Sequence, residues 1–217
     1  PPRPSSVLMR FMSQLEVVRL SNNRLASLPD SLTTHESIAW AALASNPLFS
    51  PPAARASFAT TRYEDFDIIE TIGEGSSSNV YRARRKVPGA PSVAMKLYKA
   101  INSSDGRNID ELVIGAALDH ANILRLEGYF EAPQLGAVLE WTVNWQSLGR
   151  PPSFDSVTRD TYAEGAAFSP QFAATVACNV ANALEYVHAH GIMHGDLYAH
   201  NVLVRPSDGS AKLADWG

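Results

Sequence analysis

A single cysteine, Cys178, stands among 217 residues. That excludes a disulfide framework within the chain and fits a reducing, cytoplasmic setting, with the thiol read as helix packing. Positive charge is also short: 18 Lys and Arg against 22 Asp and Glu leave a formal net charge of -4. No overall basic field therefore recommends nucleic acid or an acidic membrane as a partner. Long apolar runs are missing although 45% of the residues are hydrophobic, and nothing approaches the roughly 18 residues of a membrane span. The opening PPRPSSVLMR lacks the charged head and apolar body of a secretory signal. The length allows one ordinary domain and a smaller unit.

What is present begins with a periodicity. LEVVRLSNNRLASLPDSL fills the slots of L-x-x-L-x-L-x-x-N-x-L with Leu15, Val18, Leu20, Asn23 and Leu25. SIAWAALASNPL repeats them with Ile38, Ala41, Leu43, Asn46 and Leu48, so Asn23 and Asn46 lie 23 residues apart, inside the roughly 20–29 of leucine-rich repeats. In such arrays alternate apolar residues are buried and Asn bonds the turn backbone of the neighbouring coil. The upstream SSVLMRFMSQ reads as the tail of a third repeat, so the chain is expected to start inside a longer array.

FSPPAARASFATT, rich in Pro, Ala, Ser and Thr and without periodicity, reads as a linker. Beyond it, FDIIETIGEGSSSNVYRARRK predicts strand, turn and strand, and SVAMKLYKA a third strand. NIDELVIGAALDH has helical spacing. AVLEW predicts a further strand, and SPQFAATVACNVANALEYVHAHG a long helix with Pro170 near its start and Gly191 past its end.

The chemistry-bearing residues sit in these elements. Gly73, Gly75 and Val80 match G-x-G-x-x-G-x-V, a loop whose bare backbone approaches nucleotide phosphates, with Ser78 in place of the third glycine. VAMK puts Lys96 on a strand sixteen residues past Val80, where an ammonium reaches the α- and β-phosphates. Glu111, early in the expected helix, supplies a carboxylate to pair with it. GIMHGDLYAHNVLV fits H-x-D-L-x-x-x-N with His194, Asp196, Leu197 and Asn201. Asp196 would accept or orient the proton of an attacking hydroxyl, and Asn201 would hold magnesium together with Asp215 of ADWG, since these oxygens suit a hard cation. Taken singly these are a hairpin turn, a strand lysine, a solvated helix acid and a capped helix end; their order and spacing make one site.

In these motifs the chain resembles the eukaryotic-type protein kinase family fused to leucine-rich repeats, with an HGDLYAHN catalytic loop. The resemblance covers Tyr63 to Gly217, and Leu15 to Leu48 for the repeats. It implies an α+β fold. A leucine-rich-repeat stub occupies residues 1–50 and a linker 51–62. A kinase-like N-lobe of antiparallel sheet plus one helix spans 63–140, and a hinge with an incomplete, mainly helical C-lobe spans 141–217. It further implies Leu139 as gatekeeper, a hinge from Glu140 to Thr142 pairing with adenine, ATP and Mg2+ as cofactors, a protein substrate phosphorylated on Ser/Thr more than Tyr, and a protein ligand for the repeats.

Departures accompany the match. Gly195 replaces the Arg that meets a phosphorylated activation loop, so a switch through that pair is not expected. Tyr198 stands where Ser/Thr-type members carry Lys, and His200 is the residue nearby in the loop able to take up a positive charge. Gly115 replaces a bulky residue between the lobes and weakens its helix by about 1 kcal/mol relative to Ala, which is expected to loosen the Lys96–Glu111 pair. Trp216 replaces Phe and is expected to pack. The chain stops before any activation segment, so the expectation is a fragment with little transfer activity and with apolar faces of its long helix open to water. Two alternatives stay open: a pseudokinase scaffold that binds partners without catalysis, and a small-molecule kinase of the aminoglycoside or choline type. The insertion GRPPSFDSVTRDTYAEGAAFSP reads as a surface loop.

Overall fold

The computed structural model describes residues 12–48, 60–75, 77–100, 102, 103, 106–151, 153, 156 and 159–216. The linker up to residue 59, Gly217 and the first eleven residues, which hold most of the upstream tail, lie outside the described residues.

The N-terminal periodicity becomes two short coils. β1 (Val17–Arg19) and β2 (Trp40–Ala42) flank α1 (Asp30–Thr33). The strands pair in parallel with Val17 opposite Trp40 and Arg19 opposite Ala42, an offset equal to the repeat period. Asn46, 4% exposed, joins the coils. Its Nδ2 donates to the carbonyls of Leu20 (2.9 Å) and Leu43 (2.7 Å), while its Oδ1 accepts from the Leu25 N–H (3.1 Å). One amide thus satisfies backbone groups that the short ladder leaves over. Among the described residues, Asn23 serves its own turn, donating to the Leu20 and Ser21 carbonyls.

A 3-10 turn (Tyr63–Asp65) leads into β3 (Phe66–Glu74), β4 (Ser78–Arg85) and β5 (Ser92–Tyr98). Two short antiparallel strands, β6 (Asn102–Ser103) and β7 (Gly106–Arg107), precede α2 (Asn108–Ala117), and β8 (Leu126–Phe130) and β9 (Gly136–Glu140) complete the unit. The larger strands form an antiparallel sheet in the order β3-β4-β5-β9-β8. The pleat of β5 sorts the run SVAMKLY into two faces. Val93, Met95 and Leu97 join Phe66, Ala83, Phe130 and Val138 in one core. Ala94, Lys96 and Tyr98 alternate with them, and Tyr98 packs with Leu112 and Ala116 of α2. A Cβ on Gly115 would lie 3.2 Å from Leu126 Cδ2, so α2 sits flush on β8. Gly115 is therefore also a point of close approach between helix and sheet.

In the remaining part, β10 (Gln146–Ser147), β11 (Val202–Val204) and β12 (Ala211–Leu213) form a small antiparallel sheet. Against it lies α3 (Pro170–Ala189), which buries Val176, Ala183 and Val187 with Val202, Val204 and Leu213. Ser169 Oγ accepts from the Phe172 N–H at 3.1 Å, with proline at the first helical position. Gly191 follows the helix end at φ 70°, where a left-handed residue stops it. Cys178 is exposed, which corrects the packing expectation. Two positions on from Val176, it has turned about 200° away from the buried stripe. The insertion is also more than surface: its Asp160 carboxylate accepts the Ala199 N–H at 2.6 Å, and Arg150 bridges Thr161. Among the described residues no helix is long and apolar enough to cross a membrane.

Candidate active site

The centre of the site is an ammonium between two carboxylates. Lys96 Nζ donates to Glu111 Oε1 at 2.9 Å and to Asp215 Oδ1. Lys96 is only 8% exposed, because β5 lies inside the sheet and α2 covers this face. Burial opposes its charge, but Glu111 and Asp215 together hold its pKa well above the ordinary value. Burial pushes Glu111 up to about 7, against the pull of Lys96 and aided by the neighbouring Asp215. Asp215 ends below the usual carboxylate value because Lys96 outweighs its desolvation. The Lys96 ammonium also stands 5.1 Å from the Tyr98 ring, a favourable cation–π distance.

The loop from His194 to Asn201 is wired internally. Asn201 is 3% exposed, and its Nδ2 donates to the Asp196 carbonyl (2.8 Å) and to Asp196 Oδ2 (3.0 Å). Both amide hydrogens are thus spent on the acid, and the amide oxygen is left as the donor atom for a cation. His194, also 3% exposed, meets the Ala214 carbonyl through Nε2 at 3.0 Å and the Asp196 N–H through Nδ1 at 3.3 Å. A carbonyl only accepts and an amide only donates, so the imidazole is the neutral Nε2–H tautomer. Burial holds its pKa below the ordinary value in spite of the Ala214 carbonyl. Trp216 is buried with its ring 4.6 Å from His194, as the aromatic exchange led one to expect.

Antiparallel pairing of β11 with β12 carries the segment of Ala214 and Asp215 back to the loop: Val202 lies opposite Leu213, and the Ala214 N–H donates to the Asn201 carbonyl at 2.9 Å. Asp215 follows at φ 59°, a left-handed conformation that a non-glycine residue keeps only when its surroundings impose it. Gly195 is at φ 80°, so the position of the missing Arg is one where the backbone itself favours glycine. Asn201 and Asp215 give one amide oxygen and one carboxylate. That set fits magnesium, which keeps waters and takes the rest of its octahedron from phosphates. Among the described residues no cluster of three or more His, Cys, Asp or Glu exists for a more tightly held metal.

The glycine turn closes the β3–β4 hairpin. Gly73 pairs with Val80, the Gly75 N–H donates to the Ser78 carbonyl at 2.8 Å, and Lys99 Nζ donates to the Gly75 carbonyl at 2.6 Å. Ser78 is buried at the start of β4. Leu139 pairs with Ala94 two residues before Lys96 and packs on the α2 core. Glu140 ties distant segments together through its side chain and its N–H. Its carboxylate accepts from Lys212 Nζ at 2.7 Å and from the Arg125 N–H at 2.8 Å. Its own N–H goes to the Arg125 carbonyl, while the Thr142 carbonyl accepts from the Trp145 N–H. The Glu140–Lys212 pair and the Asp160 brace were not read from the sequence, because each joins segments far apart in it.

Residues 66–217 match the protein kinase domain, well over half of the chain, and the chain belongs to that family. The serine/threonine-protein kinase Aurora-2 of Arabidopsis thaliana is 32% identical over 157 residues, which cover 70% of this chain and 51% of that protein. The Aurora kinase of Dictyostelium discoideum is 31% identical over 160 residues, 71% of this chain and 38% of its own. Human calcium/calmodulin-dependent protein kinase type IV is 30% identical over 155 residues, 70% of this chain and 30% of its own. The chain therefore spans about half of the first of these relatives and less of the other two.

Proposed function

We propose that this chain carries the nucleotide and metal residues of an ATP- and magnesium-dependent protein kinase acting on protein hydroxyls, Ser/Thr before Tyr, beside a leucine-rich-repeat surface for a protein ligand. The observation that carries the reading is the buried Lys96, held by Glu111 and shared with Asp215, which directly follows Ala214, itself bonded to Asn201 of the loop that also bears Asp196. Lys96 offers the ammonium for nucleotide phosphates, and Glu111 fixes its head. Asn201 and Asp215 offer the oxygens that would hold magnesium, which supplies charge neutralisation on the phosphates. Asp196, whose carboxylate accepts from Asn201 Nδ2, would take the proton of an incoming hydroxyl. Relatives named as serine/threonine kinases support the acceptor type. The 23-residue offset of β1 and β2 and the bonds of Asn46 support the repeat reading.

One observation favours a second reading, a scaffold without catalysis: Tyr198, two positions past Asp196, brings no ammonium to a transferred phosphate. Calorimetric titration with MgATP, wild type beside Lys96→Met, tests nucleotide binding, which should be lost in the variant. Transfer of labelled phosphate to casein and to a Glu/Tyr copolymer is measured with this chain and with its reading frame carried past Gly217, beside Asp196→Asn. Transfer that vanishes in the variant supports the kinase. Binding with no transfer to either acceptor assigns the scaffold.

A further inference from the structure

The N-terminal coils touch the helix that carries Glu111. Ser45, in the turn after β2, donates its hydroxyl hydrogen to Asp110 Oδ2 and accepts the Arg107 N–H at 2.9 Å. Arg107 is the N-cap residue of α2, and its own side chain caps nothing in the helix. It reaches instead to Asp110, with Nη2 to Oδ1 at 2.7 Å and Nε to Oδ2 at 3.2 Å. In the usual capping box a residue at the third helical position reaches back to the N-cap N–H. Asp110 holds that position, and here the Ser45 hydroxyl links the N-cap N–H to its carboxylate, from a residue 62 positions earlier in the chain than Arg107.

The turn itself marks Ser45 out. Its counterpart 23 residues earlier is Asn22, and both are left-handed, at φ 57° for Asn22 and 60° for Ser45. Asparagine tolerates that region better than most residues, so the first coil carries a suitable turn residue. The second carries a serine at the point where the coil meets α2, and the hydroxyl is what that contact uses. Glu111 follows Asp110 directly, one residue round the helix, and meets Lys96. Whatever fixes the first turn of α2 therefore fixes the base of Glu111.

We propose that Ser45 is a positioning residue for the Lys96–Glu111 ion pair: it completes the N-terminal cap of α2, and the seating of the N-terminal coils on that helix sets how firmly Glu111 holds Lys96. The nucleotide part of this proposal rests on the kinase reading; the capping part does not. Ser45→Gly is the informative variant, because glycine accepts the left-handed turn while the hydroxymethyl group that carries both bonds is removed. Hydrogen exchange of the 108–117 amides should quicken about fivefold, the size of a lost cap, and MgATP should bind severalfold more weakly. Asp110→Asn keeps an oxygen for the Ser45 hydroxyl and should retain most of the protection, whereas Asp110→Ala should lose it.

The loss of MgATP affinity should disappear when Ser45→Gly is made in a Glu111→Gln background, which a merely stabilising contact would not bring about. Unchanged exchange across 108–117 in Ser45→Gly, or an equal affinity loss in the Glu111→Gln background, overturns the proposal. If wild type binds no MgATP, the kinase reading falls and with it the positioning role, while the exchange measurement still decides whether Ser45 caps α2.

Discussion

The loop His194–Asn201 and the charge cluster around Lys96 are assembled at different ranges along the chain. Within the loop, Asp196 bonds a histidine two residues back and Asn201 bonds Asp196 five residues back. Lys96 meets Glu111 at a separation of 15 residues and Asp215 at 119. The loop therefore holds its shape through its own short segment, with bolts at Ala214 and Asp160. The cluster is only as good as the seats of α2 and β12. Groups that meet across several elements respond to whatever moves those elements, which makes the cluster the adjustable half of the site and the loop the constant half.

Lys96→Met should separate the two halves most sharply. It leaves the Glu111 and Asp215 carboxylates without their cation, and breaking a buried pair costs roughly 3–5 kcal/mol. The lower end applies because the Asp215 side chain is 52% exposed. Asp196→Asn keeps an oxygen for Asn201 Nδ2 and should cost under about 1 kcal/mol. Urea unfolding of both variants decides, and equal losses would erase the contrast.

Gly149→Ala attacks the constant half. An added Cβ would lie 2.6 Å from Ala199 Cβ and 2.7 Å from the Thr161 carbonyl oxygen, an overpacking worth about 1–3 kcal/mol. The side-chain amide signals of Asn201 should shift in NMR spectra while the α2 amides keep their protection.

A pH series probes the adjustable half. Glu111 holds its proton to about pH 7 in the fold against 4.5 for the free side chain, so the unfolded chain gives up that proton first. Stability of wild type relative to Glu111→Gln should fall as pH rises from about 4.5 to 7 and then level off. One proton limits the slope to about 1.4 kcal/mol per pH unit. A relative stability that rises over this window would reverse the assignment. The smallest effect belongs to neither half: Ser169→Ala removes the N-cap of α3 for about 1 kcal/mol, and MgATP affinity should stay as in wild type.

The parts legible beforehand are those with short-range grammar. The 23-residue spacing of Asn23 and Asn46 recurs as the 23-residue offset between the paired residues Val17 and Trp40. Pro170 and Gly191 bracketed α3 because one lacks only a spare N–H and the other takes a left-handed φ. Lys96, Glu111, Asp196, Asn201 and Asp215 stood out by spacing. Less legible was what each glycine or cysteine does: Gly115 proved a close contact with Leu126 and Cys178 an exposed residue, because both depend on which face of a helix finds a neighbour.

By itself, then, the sequence determined strands β3, β4, β5 and β9, helices α2 and α3 and the identity of the charged groups, which follow from periodicity and motif spacing. Only the tertiary structure decided that Lys96 is buried between two carboxylates, that Glu140 turns to Lys212, that Asp160 braces the loop and that Ser45 reaches α2. Each of these joins distant segments through one or two polar atoms, and no local preference of a side chain encodes a partner that packing alone brings within 3 Å.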